Sequence, residues 1–125
     1  MVDGYDDMGL LIRALAFASL KHRNQRRKDA ESSPYINHPI ALADVLANEG
    51  GVRDIRVLCA AILHDTIEDT ETTASELNSH FGEEIASIVL EVTDDKTVEK
   101  ELRKELQVER AKYCSDEAKL VKLAD

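Results

Sequence analysis

Cysteine is scarce in this sequence: among 125 residues only Cys59, inside an apolar run, and Cys114, in a polar stretch, carry a thiol. Such a pair reads as the reduced cysteines of an intracellular protein, and neither thiol stands at a metal-binding spacing. Positive charge is in deficit too. The formal net charge is −9, which disfavours nucleic acid or an anionic membrane as partner, because both would be repelled at long range. No apolar run is long enough to span a bilayer. The first residues, Met1-Val2-Asp3-Gly4-Tyr5-Asp6-Asp7, are acidic where a secretory or transit peptide would be basic, so the expected location is cytoplasmic. No apolar–polar alternation is long enough for a sheet, and no repeat or low-complexity segment occurs. The expected fold is all-α: one compact domain over residues 1–125, with a core burying roughly two thirds of the surface its unfolded chain exposes.

What is present is helical spacing. Leu10, Leu11, Ala14, Leu15 and Ala18 recur at helical intervals between about Asp6 and Asn24, giving an amphipathic first helix. Lys21, Arg23, Arg26, Arg27 and Lys28 crowd its end. One reading is a solvated helix terminus whose cations complement the macrodipole. The other is a phosphate site, since arginine forks match phosphate oxygens and an acidic protein needs a local basic patch to hold a polyphosphate. A loop from Asp29 to Pro34 leads into Tyr35-Ile36-Asn37-His38-Pro39-Ile40 and a helix through Leu42, Ala43 and Leu46 that ends at Gly50-Gly51. Pro39 suits the first turn of that helix. The residue before a proline is pushed out of helical dihedrals, so His38 is expected to be extended at the helix mouth. His22 and His80 read as surface residues.

Further along, Thr73-Ala74-Ser75-Glu76 is a capping box that opens a short helix ending near Phe81-Gly82. Ile85, Ile88, Val89 and Val92 give the segment from Glu83 to Val92 a buried face. Thr93 to Lys96 reads as a turn or helix start, and Val98 to Ala111 as a charged helix with a thin apolar stripe. Ser115 caps a final helix that reaches Asp125 with no glycine, proline or polar tail to close it, so the sequence is expected to be cut through that element.

The most informative stretch is Val57-Leu58-Cys59-Ala60-Ala61-Ile62-Leu63-His64-Asp65-Thr66-Ile67-Glu68-Asp69, which turns from almost purely apolar residues into one histidine and three carboxylates. Read as one helix from about Asp54 to Asp69, it sets Glu68 four residues after His64 and Asp69 four after Asp65, all on one edge. A helix apolar on nearly all sides belongs inside a protein, where clustered carboxylates repel each other and lose solvation. A divalent cation would offset both costs, with His64 and Asp65 offering it a nitrogen and an oxygen. A solvated helix end is the alternative. The spacing departs from the HExxH of zinc peptidases. A calcium loop over Asp69 to Glu76 fails, because the glycine that lets an EF-hand turn sharply is missing. His38 and Asp125, the latter following an apolar run as Asp65 does, are further ligand candidates.

In order, Tyr35-Ile36-Asn37-His38-Pro39, His64-Asp65-Thr66-Ile67-Glu68-Asp69, Val92-Thr93-Asp94-Asp95-Lys96 and Lys119-Leu120-Val121-Lys122-Leu123-Ala124-Asp125 resemble the HD-domain hydrolases of the RelA/SpoT type, most closely the stand-alone small alarmone hydrolases. The resemblance implies a helical bundle with one metal ion, commonly manganese, held by His38, His64, Asp65 and Asp125; zinc and iron are alternatives. It implies catalytic roles for Glu68 and Asp69. By the same resemblance Arg27, Lys28 and Tyr35 line the nucleotide side and Lys100 reaches phosphate. The implied reaction removes pyrophosphate from the 3′ position of guanosine tetra- and pentaphosphate (ppGpp and pppGpp), the alarmones of the stringent response. Animal members have also been associated with removal of the 2′-phosphate of NADPH. A catalytically silent module that binds metal or nucleotide is the remaining alternative.

Overall fold

The computed structural model describes residues 6–28, 30–93, 102, 105 and 115–125. Caps set where most of its helices begin. Helix α1 (Asp7–Lys21) opens at Asp6, whose carboxylate accepts the Gly9 N–H at 2.7 Å. Helix α2 (Asn37–Asp44) runs on into a π-helical turn, Val45–Glu49. Helix α3 (Ile55–Leu63) opens at Asp54, which accepts the Arg56 N–H at 3.0 Å, and α4 (Thr66–Asp69) is a single turn. Thr73 caps α5 (Ala74–Phe81) by accepting the Glu76 N–H at 3.1 Å. Gly82, at φ 90°, closes α5 and opens α6 (Glu83–Val92), a left-handed conformation that favours glycine. The Ser115 hydroxyl accepts the Ala118 N–H at 3.1 Å to open α7 (Asp116–Ala124). No strand forms among the described residues, whose one isolated bridge joins Arg26 and Pro34. The fold is all-α.

The apolar composition of α3 decides the arrangement. Every residue from Val57 to Leu63 is buried, and α1, α2, α6 and α7 pack around this helix. Helix α1 turns Leu10, Ala14, Phe17 and Ala18 inward, a stripe at helical spacing. Full burial of a side chain such as Ile62 or Leu63 is worth roughly 1.5–3 kcal/mol, so the central helix anchors whatever follows its C-terminus.

Three expectations need correction. The stretch from Asp54 to Asp69 is not one helix: it breaks at His64 and Asp65, where Asp65 takes φ −100° and ψ 2° and the Thr66 hydroxyl donates to the Leu63 carbonyl at 2.7 Å. His38 is not extended but lies in the first turn of α2, because the Asn37 and His38 N–H groups already donate to the Pro34 and Tyr35 carbonyls. Such a start makes no demand on the missing N–H of Pro39, and the local turn overrides the steric preference before proline. His22 is not a surface residue; it is 2% exposed. His80 is half-buried, its ring centroid 5.4 Å from that of Phe17. Asp94 to Lys96, and the expected helix from Val98 to Ala111 apart from the helical residues Leu102 and Glu105, lie outside the described residues.

Candidate active site

Where α3 ends, a turn rather than a continued helix gathers the polar groups. His64 is buried, and its Nδ1 lies 2.7 Å from the Ala61 carbonyl oxygen, which requires an N–H there and leaves Nε2 as the ring's acceptor nitrogen. That nitrogen stands 3.0 Å from Asp65 Oδ2 and 3.6 Å from Asp125 Oδ2. It is nonetheless buried with no hydrogen-bond partner. Burial pushes the His64 pKa down, outweighing the Ala61 hydrogen bond and the Asp125 charge that raise it, so the ring favours its neutral, ligating form. A lone pair among carboxylate oxygens is repulsive unless a cation lies between them.

Helix α2 supplies the next donor and the residue capping the end of α7 the last. The His38 ring centroid is 5.6 Å from that of His64, and its Nε2 is 3.0 Å from Asp125 Oδ1. Donor atoms of His38, His64 and Asp65 lie within 4.8 Å of one another, a mixed nitrogen and oxygen set that fits a divalent transition metal. A second group shares Asp65: one carboxylate oxygen each from Asp65, Glu68 and Asp69 also lie within 4.8 Å of one another. The Tyr35 hydroxyl donates to Asp65 Oδ2. Gln25 Nε2 donates to Asp69 Oδ2 at 3.4 Å.

Beside these groups lies a cleft of about 400 Å³ lined by Gln25, Arg26, Arg27, Lys28, Tyr35 and His38. Its wall folds back on itself: the Arg27 N–H donates to the Ser33 carbonyl at 2.9 Å and the Tyr35 N–H to the Gln25 carbonyl at 3.0 Å. The basic cluster therefore divides. Lys21 is bound to Glu71 at 2.9 Å and Glu76 at 3.0 Å, and the hydrogen bond it donates to Glu71 is the main cause holding its ammonium above the ordinary pKa. The Arg23 guanidinium donates to the Leu20 carbonyl at 2.8 Å. Arg26, Arg27 and Lys28 alone of the five line the cleft.

The sequence-expected residues His38, His64, Asp65 and Asp125 thus come together, with Glu68 and Asp69 adjoining through Asp65 and Arg27, Lys28 and Tyr35 along the cleft. Lys100 lies outside the described residues. Sequence reasoning missed Gln25 and His22, and counted Arg26 only among the basic cluster. For His22 a signal existed, since Ala14, Ala18 and His22 continue one buried stripe at four-residue spacing. Cys59 is free and buried, and burial pushes its thiol up to about 12, so it takes no part in this chemistry.

A family model described as the HD domain matches residues 14–125. The chain belongs to the HD-domain family. Its adjacent His64 and Asp65 are the turn between α3 and α4. Among curated proteins, this HD domain is 57% identical over 119 residues to the guanosine-3′,5′-bis(diphosphate) 3′-pyrophosphohydrolase MESH1 of Xenopus tropicalis, covering 95% of this chain and 66% of that one. It is 59% identical over 115 residues to the protein of the same name from Homo sapiens, covering 92% of this chain and 64% of that one. The chain therefore spans just under two thirds of the length of these relatives. Among solved structures, one of a metazoan ortholog of SpoT said to hydrolyze ppGpp superposes with a TM-score of 0.88 at 45% identity, over 92% of this chain and 65% of that one.

Proposed function

We propose that this chain carries the catalytic unit of a manganese-dependent hydrolase that releases pyrophosphate from the 3′ position of guanosine 3′,5′-bis(diphosphate), acting on the free nucleotide in the cytoplasm. One observation carries the reading: His38 belongs both to the cluster of metal-ligand atoms and to the cleft lined by Arg26, Arg27 and Lys28. A phosphate drawn into the cleft is thereby delivered to the metal ligands. The names of the relatives support the choice of substrate.

His38, His64, Asp65 and Asp125 would hold the cation, which supplies Lewis acidity at the phosphate and makes water a better nucleophile near neutral pH. Glu68 or Asp69 accepts the proton of the attacking water, a role that asks for a carboxylate within hydrogen-bond reach of the water. Arg27 and Lys28 bind phosphate oxygens and orient the 3′-diphosphate; the guanidinium does so as a planar fork and the ammonium as a point charge. The Tyr35 hydroxyl holds Asp65 from the cleft side, fixing the carboxylate that the two clusters share.

The test is product analysis. Purified protein stripped of metal and resupplied with Mn²⁺ is incubated in parallel with guanosine tetraphosphate and with NADPH. The expected result is equimolar pyrophosphate and GDP from the first, only when metal is present, with the larger specificity constant. Phosphate from NADPH at the larger specificity constant, or binding without product from either, would overturn the assignment.

A further inference from the structure

His22 stands just past the end of α1, and the reaction proposed above gives it no role. Its ring is 2% exposed and lies against Tyr35, with centroids 4.7 Å apart. Its Nδ1 is 2.8 Å from Gln25 Oε1, while its Nε2 is buried with no hydrogen-bond partner. Leaving a buried nitrogen unsatisfied is costly, and an apolar ring against Tyr35 would avoid that cost only by giving up the hydrogen bond to Gln25. A histidine with only a packing duty gains nothing from it.

Hydrogen-bond direction shows what the nitrogen does. Asp69 can only accept, so the amide group of Gln25 facing it at 3.4 Å is the NH₂. The Gln25 oxygen is then the atom facing His22, and His22 must donate to it from Nδ1. The backbone of Gln25 is pinned as well: its N–H donates to the His22 carbonyl at 2.9 Å and its carbonyl accepts from the Tyr35 N–H at 3.0 Å. Ring, amide and carboxylate form one directed chain ending on a group of the site.

We propose that His22 and Gln25 are positioning residues for Asp69: the His22 ring fixes the rotation of the Gln25 amide, and the amide fixes the Asp69 carboxylate beside Glu68 and Asp65. His22 is buried away from solvent, and Gln25, although it lines the cleft, turns its amide oxygen to His22 and its NH₂ to Asp69. Their loss therefore acts on the rate of the chemical step rather than on affinity. The inference rests on the proposed reading of Asp69 as part of the hydrolytic site.

Asparagine and phenylalanine separate the duties of His22. An asparagine amide nitrogen can stand where Nδ1 stands, whereas phenylalanine keeps the ring against Tyr35 and removes the donor. The expected outcome is that His22→Phe and Gln25→Leu lower kcat roughly 10- to 100-fold, the scale of losses at outer-shell partners. In both, KM should stay within about twofold of wild type, since no uniform binding is removed. His22→Asn should recover most of the rate. His22→Phe should melt within a few degrees of wild type, because removal of an unsatisfied buried nitrogen offsets the lost hydrogen bond to Gln25. Wild-type kcat in folded His22→Phe or Gln25→Leu, or equal losses in His22→Asn and His22→Phe, would overturn the proposal.

A second readout needs no turnover. In ¹⁵N-labelled protein at pH 8, the neutral His22 ring should be the Nδ1–H tautomer, and Gln25→Leu should perturb that resonance. An Nε2–H tautomer in wild type would refute the directed chain. Absence of pyrophosphate release by wild type would instead refute the proposed reaction and leave the tautomer result standing, so the two failures are distinguishable.

Discussion

The turn between α3 and α4 and the loop from Gln25 to Tyr35 meet at His38, yet they are built in opposite ways. The turn is held from behind: His64 is buried and spends Nδ1 on the Ala61 carbonyl, and Thr66 ties off the Leu63 carbonyl. The loop leaves Arg26, Arg27 and Lys28 exposed on a backbone closed by a few hydrogen bonds. Groups that bond to a metal or move a proton need fixed directions, and the interior of an apolar helix bundle supplies them. Groups that attract a polyphosphate need charge and reach, which solvent-exposed side chains supply at little cost.

Substitutions in the two regions should therefore fail differently. The largest effect is expected at the turn: His64→Ala should abolish bound metal and turnover together, checked by metal analysis alongside the hydrolysis assay, and turnover surviving in metal-free mutant protein would break the scheme. Glu68→Gln should keep the metal and slow turnover by roughly two to four orders of magnitude if Glu68 is the general base. A wild-type rate would remove it from that role.

Loop substitutions should act on affinity. Arg27→Ala is expected to raise KM about tenfold with little change in kcat, and to weaken the dependence of KM on salt. A fall in kcat at constant KM would erase the distinction between the two regions.

The smallest effect is expected at the far end of α3. Asp54→Ala removes a helix cap and should cost about 1 kcal/mol in denaturant unfolding without altering turnover. The side-chain hydrogen bond from Arg56, against burial, holds the Asp54 carboxyl below its ordinary pKa. Its contribution is thus fully present above the usual carboxylate range and is lost as pH falls through the lowered value. Acid unfolding of Asp54→Ala should accordingly be less steep than that of wild type.

How much of this was legible in the sequence depends on how local the cause was. The caps at Thr73 and Ser115 and the buried faces of α1 and α6 follow from side chains within a few residues, and they were readable. The change from apolar to acidic residues at His64 marked the site. The break there was not readable, because periodicity continues through a turn held by one threonine hydroxyl. The two readings of the basic cluster could not be separated at Lys21, because its partner Glu71 lies 50 residues away in sequence. His22 reads as a surface residue because no ligand motif supports it, although its four-residue spacing from Ala18 places it on the buried stripe.

In the proposed reaction the buried end of α3 would hold a cation on which hydrolysis depends. Titrating metal-stripped protein with Mn²⁺, while following bound metal and pyrophosphate release from guanosine tetraphosphate in the same samples, tests it most directly. Release should rise in proportion to occupancy and level off at one ion per chain. Full release before any metal is bound, or saturated binding with no release, would contradict it.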